Sequence, residues 1–135
     1  MCIRDSHISA IEKTSFENSS YWISTKYDGL ILWNINNGIQ KTWTRKNGLS
    51  NNNIHSAYED KHERLWMSSD VGINILDLKN DEITILTIQD GLIENEMNRY
   101  AHFKDDDGTL YFGSQKGFIH FKPDEYEFNL SLIHI

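Results

Sequence analysis

The residues of this chain that could do acid–base chemistry are two pairs of carboxylates. Glu59 and Asp60 are adjacent, and Glu94 and Glu96 are separated by one residue. Two carboxylates that flank one bond can act as general acid and general base in hydrolysis. Each pair, however, falls at a strand end or turn of the repeat described below, and nothing in the sequence brings the pairs to one cleft. We therefore predict that this segment is not catalytic.

The other chemically active residues lack the spacing that metal and cofactor sites require. His55, His62, His102 and His120 show none of the His-x-x-x-His or His/Cys spacings typical of zinc. The run Asp105-Asp106-Asp107-Gly108 lacks the alternating ligands and terminal Glu of an EF-hand loop, and it lies where a turn is due. No nucleophile elbow, phosphate loop or dinucleotide-binding pattern is present. We predict no metal and no cofactor.

Composition describes a soluble acidic domain. The chain has 135 residues, 13 Lys and Arg against 20 Asp and Glu, and a net charge of -7. The acidic balance argues against a nucleic-acid partner, and no apolar run approaches the roughly 20 residues that cross a bilayer. With Cys2 as the one cysteine, an internal disulfide is excluded.

The two ends of the chain read as translated adapter DNA. The peptide Met1–Ser6 and the peptide 130–135 (Leu-Ser-Leu-Ile-His-Ile) can be encoded by opposite strands of one short DNA sequence. Such added segments do not belong in fold reasoning. We expect residues 1–6 and 130–135 to be artefacts and residues 7–129 to be a natural segment of a longer protein.

An internal repeat organises the rest of the chain. Tyr21-Trp22-Ile23-Ser24-Thr25 recurs as Leu65-Trp66-Met67-Ser68-Ser69 and as Leu110-Tyr111-Phe112-Gly113-Ser114, with aromatic residues 44 and 45 positions apart. Within one period, short β-branched or aromatic runs predict four strands at 54–60, 64–69, 72–78 and 83–88. No stretch has a helical period, so helix content should be close to nil.

A four-stranded antiparallel unit that repeats every 40–50 residues is typical of a β-propeller blade. We predict an all-β, incomplete β-propeller arc, with two full blades at about 7–45 and 53–89 and most of a third at about 97–128. Since one sheet cannot bury both its faces alone, the core should lie between blades. The residues expected in this core are Trp22, Trp66, Tyr111 and Phe112.

The repeat resembles the two-component regulator propeller repeat. The family's repeat has a strand ending in Glu-Asp, which corresponds here to Tyr58-Glu59-Asp60. Its Leu-Trp-Ile-Gly-Thr corresponds to Leu65-Trp66-Met67-Ser68-Ser69, and the Gly-Leu that follows corresponds to Gly72-Ile73. The family's connector between blades also has a Gly-Leu, which is Gly48-Leu49 here. The third repeat, from Asp90-Gly91-Leu92 to Phe121-x-Pro123, is similar to the final blade of the sensor propellers of Bacteroidetes-type hybrid two-component histidine kinases.

This resemblance implies a function in sensing. It implies a periplasmic domain that binds carbohydrate breakdown products, works as a homodimer in the parent protein, and is followed elsewhere by a membrane helix and a kinase. Two alternatives stay open: a propeller used for protein interaction or dimerisation without a small ligand, and a fragment of a propeller enzyme that degrades polysaccharides.

Ligand contact is expected on one face of the arc. In a propeller the loops between strands two and three and those between blades lie together. Amides, Arg and aromatic rings there could bind a sugar's hydroxyls and ring. We expect the pair Arg99 and Tyr100 at the innermost strand to be the strongest candidate, although Arg99 could instead pair with a carboxylate at the rim. The full candidate set is Tyr27, Asn53, Asn95, Asn98, Arg99 and Tyr100.

Overall fold

A computed structural model describes residues 7–92 and 94–125, which form three consecutive antiparallel sheets. The first sheet contains β1 (Ile8–Lys13), β2 (Ser20–Thr25), β3 (Leu30–Asn34) and β4 (Gly38–Trp43). The second contains β5 (Ile54–Glu59), β6 (Arg64–Ser69), β7 (Ile73–Asp77) and β8 (Glu82–Leu86). The third contains β9 (His102–Lys104), β10 (Leu110–Ser114) and β11 (Gly117–Phe121).

Within each sheet, strands pair in chain order through tight turns. The turn between the second and third strands requires glycine. A Cβ on Gly29 would lie 2.0 Å from the Trp43 carbonyl oxygen, and one on Gly72 would lie 2.1 Å from that of Leu86. Both glycines also have positive φ, which side chains with a Cβ rarely adopt. The short Gly-containing turns seen in the sequence therefore allow the fourth strand to pass close by.

The helical structure of the described residues is limited to three short 3-10 turns, two in the connectors between sheets and one, Pro123–Glu125, after β11. Arg45–Asn47 follows β4 and Ile88–Asp90 follows β8, each closed by a left-handed glycine, Gly48 or Gly91. The four strands predicted for the second blade are confirmed, but the last one ends at Leu86 because the 3-10 turn begins at Ile88. None of the described helices is long and apolar enough to span a bilayer.

Two apolar layers hold the sheets together. The layer between the first and second sheets is built around Trp22, Leu65 and Met67. The layer between the second and third is built around Trp66, Phe112 and Phe121. Adjacent residues of β6 thus serve opposite layers, as strand alternation requires. This arrangement confirms the all-β, incomplete β-propeller arc.

Three of the four residues assigned to the inter-blade core are buried there, and Tyr111 is not. Trp22, Trp66 and Phe112 are at most 3% exposed. Tyr111 is half-buried and contacts Phe103, Phe118 and His120 on the outer face of the third sheet. It occupies the same strand position as Trp66, but among the described residues no further sheet covers that face. Residues 1–6 and 130–135, interpreted above as adapter-derived, lie outside the described residues.

Candidate functional site

Equivalent irregularities interrupt the innermost strand of every sheet at the same end. In β1 the ladder skips Ser9 between Ile8 and Ala10, and in β5 it skips His55 between Ile54 and Ser56. These are β-bulges, which turn a side chain out of its regular alternation and are common beside functional sites.

The third sheet has a longer version of the same bulge. Asn98 donates its N–H to the Gly113 carbonyl at 2.8 Å, and Gly113 donates its own N–H to the Ala101 carbonyl at 2.8 Å. Arg99 and Tyr100 lie between these two contacts and outside the ladder. We call Ser9, His55, Arg99 and Tyr100 the bulge set.

His55 is held in a polar network at this end of the second sheet. Its Nε2 lies 3.0 Å from an Asp70 carboxylate oxygen, while the Asn53 amide donates to the other oxygen at 2.6 Å. Asp70 belongs to the turn between β6 and β7. The Asn53 Oδ1 atom is buried and accepts no hydrogen bond. The network therefore fixes the imidazole and leaves two buried polar atoms, Asn53 Oδ1 and His55 Nδ1, without a hydrogen-bond partner.

Burial lowers the pKa of His55, and this effect exceeds the opposing attraction of Asp70. The positive charge of Arg99 lowers it further. His55 is consequently neutral at pH 7, and the charge of Arg99 acts electrostatically on it.

Arg99 is half-buried, and its Nε atom is buried without a hydrogen-bond partner. The guanidinium carbon lies 5.5 Å from the centroid of the Tyr100 ring, while Tyr100 itself is 80% exposed. Within residues 7–92 and 94–125, Arg99 forms no ion pair with a carboxylate. The pairing at the rim that the sequence left open is thus not what the structure shows.

A second polar pair lies further along the innermost strands. The Tyr58 hydroxyl is 2.7 Å from Nδ1 of His102, which joins β5 to β9. Burial lowers the pKa of His102 and, with the charge of Glu12, raises the pKa of Tyr58 to about 12. Both groups are therefore neutral at pH 7, so this pair is a hydrogen bond and not an ion pair.

The remaining candidate residues are used differently. Asn95 accepts the N–H of Ile88 on its side chain at 2.8 Å and the N–H of Gly72 on its carbonyl at 2.6 Å, so it closes the connector. Asn98 is exposed and contributes its backbone to the long bulge. Tyr27 is 56% exposed and contacts the ring of His7 at 5.4 Å. Of the six candidates, Asn53 shares the Asp70 carboxylate with His55, and the charge of Arg99 lowers the pKa of that histidine.

The adjacent carboxylates Glu59 and Asp60 accept hydrogen bonds from the indole N–H groups of two buried tryptophans. Glu59 Oε2 accepts the indole N–H of Trp22 at 2.6 Å, and Asp60 Oδ2 accepts that of Trp66 at 2.8 Å. Asp60 also binds the Arg64 guanidinium, and both side chains of this pair are buried. These bonds account for the acidic end of the strand without any catalytic role.

A cleft lies at the opposite end of the sheets from the bulge set. It has a volume of about 770 Å³ and is lined by lysines and carboxylates of both the first and third sheets, among them Lys13, Lys104 and Asp107. Its lining mixes positive and negative side chains and includes none of the bulge set. In the described part of the chain, no cluster of His, Cys, Asp and Glu could hold a metal ion.

The family comparison concerns the connector and the first half of the second sheet. Residues 48–70 match the model of the family described as two component regulator propeller. The chain carries a two-component regulator propeller repeat. The match runs from Gly48 through the Glu59-Asp60 pair to Asp70, and so includes the bulge at His55.

A curated relative is similar to this chain in sequence, and solved structures are similar to it in fold. Histidine kinase P4 of Formosa agariphila is 36% identical over 91 residues, which are 67% of this chain and 7% of the relative. The extracellular domain of the putative hybrid two component system BT4673 from B. thetaiotaomicron has a TM-score of 0.75 at 21% identity, covering 89% of this chain and 17% of that one. The corresponding domain of BT3049 has a TM-score of 0.72 at 20% identity, covering 90% and 16%. The propeller repeats of this chain thus correspond to a small part of these longer proteins.

Sequence reasoning missed the role of His55. It was weighed there as a zinc ligand, whereas the structure shows it as the bulged residue of the repeat. The signal was present, because Ser9 and His55 are each the second residue of their innermost strand.

Proposed function

We propose that this chain is part of the extracytoplasmic, ligand-sensing propeller of a hybrid two-component sensor histidine kinase, located in the periplasm. The proposed ligand is a carbohydrate breakdown product, bound by the bulge set and not chemically altered. The observation that carries this proposal is the position of Arg99 and Tyr100, a cation and an exposed ring displayed together at the innermost strand.

The comparisons support the signalling part of the proposal. The repeat family is named for two-component regulators, the curated relative is a histidine kinase, and the structural neighbours are extracellular domains of two-component systems. The kinase activity belongs to the proposed parent protein, since this chain spans 7% of the relative.

The geometry supports binding over catalysis. Glu59 and Asp60, the carboxylates best placed in sequence for acid–base work, are saturated by hydrogen bonds to tryptophan, arginine and backbone donors. In the mechanism we propose, ligand binding favours one arrangement of a periplasmic homodimer and thereby shifts the kinase equilibrium across the membrane.

The test uses the complete gene that contains residues 7–129. The full protein is reconstituted in membrane vesicles, and autophosphorylation from labelled ATP is measured with and without a panel of neutral and acidic oligosaccharides. A saturable change with one oligosaccharide class, lost in Tyr100→Ala and kept in the exposed-turn control Asn36→Ala, is the expected result. A reading frame without a kinase, or a kinase indifferent to every oligosaccharide, contradicts the proposal.

A further inference from the structure

The bulge set contains a cation that has no ion-pair partner among the described residues. Arg99 forms no ion pair within residues 7–92 and 94–125, and its Nε hydrogen is buried without an acceptor. Leaving a buried charged donor unsatisfied destabilises a fold by more than the loss of a neutral one.

The neighbouring groups do not supply that acceptor. The carboxylate of Asp70 accepts from the Asn53 amide at 2.6 Å and lies 3.0 Å from His55, and no hydrogen bond joins it to Arg99. His55 itself is neutral and feels the positive charge of Arg99. Arg99 therefore brings to this end of the innermost strands a positive charge that no carboxylate of residues 7–92 and 94–125 pairs with, although the whole chain is acidic.

The chemistry of the guanidinium group selects the ligand. Its planar fork of N–H donors matches a carboxylate or sulfate with two parallel hydrogen bonds, which a single sugar hydroxyl cannot provide. Tyr100 places an exposed ring beside the guanidinium at 5.5 Å, suited to packing against the face of a sugar.

We propose that Arg99 is an anion subsite and that the ligand of this propeller is an acidic oligosaccharide, with a carboxylate or sulfate ester bound by the guanidinium and the adjoining sugar ring packed on Tyr100. This inference rests on the proposed function and specifies the substrate class of the same site. Because one guanidinium can bind either oxyanion, both sources are included in the test.

The experiment measures binding to the 135-residue chain by isothermal titration calorimetry. The probes are digalacturonate, its methyl ester, a sulfated neutral disaccharide and the same disaccharide without sulfate. The variants are Arg99→Gln, Arg99→Lys and the control Arg45→Gln, which removes an exposed arginine on a 3-10 turn. Circular dichroism establishes that each variant is folded, and the ¹⁵N signal of the Arg99 Nε–H reports a change in the environment of the guanidinium group.

We expect digalacturonate or the sulfated disaccharide to bind and to shift the Arg99 Nε–H signal. Which of the two binds identifies the oxyanion. Removal of the charge from the sugar, or Arg99→Gln, should weaken binding by about tenfold or more, equal to about 1.4 kcal/mol. Arg99→Lys should recover only part of this loss, and Arg45→Gln should bind as the unmodified chain does.

Three results would overturn the anion subsite. Neutral and charged forms of a sugar that bind equally well, or charged binding that survives Arg99→Gln, would show that Arg99 holds no anion while leaving carbohydrate sensing intact. If no probe of either kind binds, the anion subsite is wrong and the proposed carbohydrate ligand falls with it.

Discussion

Replacing Glu59 with alanine should weaken the association of the first sheet with the second and lower the stability of the fold. One carboxylate oxygen of Glu59 accepts the indole N–H of Trp22 at 2.6 Å and the hydroxyl of Thr14 at 2.5 Å. The other oxygen accepts the backbone N–H and the hydroxyl of Ser15, both at 2.9 Å. All four donors belong to the first sheet or its turn, whereas Glu59 ends β5 of the second.

The size of the effect follows from the burial of the donors. Trp22 is 3% exposed and Thr14 is 4% exposed, so water cannot replace the lost acceptor without opening the interface. An unsatisfied buried donor costs about 1–3 kcal/mol, and the exposed bonds to Ser15 add little. We expect Glu59→Ala to lower the free energy of unfolding by about 3 kcal/mol. Because Trp22→Phe removes the same bond, the double variant should cost about 1–2 kcal/mol less than the sum of the single variants.

Urea unfolding of the chain, followed by circular dichroism, measures these free energies. The matched control is Glu82→Ala, which removes an exposed glutamate at the start of β8. If Glu59→Ala costs no more than the control, within about 0.5 kcal/mol, the carboxylate does not join the sheets and the reasoning is wrong.

Three further results are expected. Gly72→Ala should unfold the chain, because its Cβ would lie 2.1 Å from the Leu86 carbonyl oxygen. Gly108 has φ +92 but nothing within 4 Å of its Cβ position, so Gly108→Ala should lower the free energy of unfolding by only about 1–2 kcal/mol through backbone strain. Equal losses of stability in urea unfolding would contradict this. The raised pKa of Tyr58, about 12 against 10.0, means that its contribution to stability is complete below pH 10 and is lost as the pH rises toward 12. Alkaline unfolding should therefore be steeper than in Tyr58→Phe, and parallel curves would refute it. Burial lowers the pKa of His102 from 6.5, so its contribution is present above pH 6.5 and is lost as the pH falls through the lowered value; an NMR titration midpoint at or above 6.5 would be inconsistent with this.

Much of the fold could be predicted because the repeat is visible in the residues that fill the core. Trp22 and Trp66 recur at one position of one strand, and the alternation of Ile73 and Ile75 with polar or outward residues defines the paired strand beside it. The spacing between repeats then fixes the number of strands per sheet. These signals are local, so they survive without knowledge of the tertiary structure.

The site could be predicted only in part because it depends on register. A bulge adds one residue to a strand without changing its hydrophobic composition, so the shared position of Ser9 and His55 in their strands was the one signal for His55, and it does not show which residue leaves the ladder. Its partner Asp70 lies 15 positions away and meets it only after β5 and β6 pair. Arg99 and Tyr100 were recognised by type, but the absence of an ion partner for Arg99 could be known only from its surroundings.

Tyr111 shows the complementary error. Its position in the repeat matches that of Trp66, yet burial of that position depends on a neighbouring sheet and not on the strand itself. Among the described residues, the second sheet has such a neighbour and the third does not.

The carboxylates that accept the indole N–H groups of Trp22 and Trp66 limit how blades can be exchanged between propeller genes. Asp60 serves Trp66 within its own sheet, but Thr14 stands at the equivalent position of the first sheet, so Trp22 depends on Glu59 of the next one. A chimera that joins the first sheet to a foreign blade would need to inherit a glutamate at the Glu59 position from the new neighbour. A single sheet therefore cannot be exchanged without loss of stability. Crossovers should be tolerated only where the incoming blade has a glutamate at the position of Glu59.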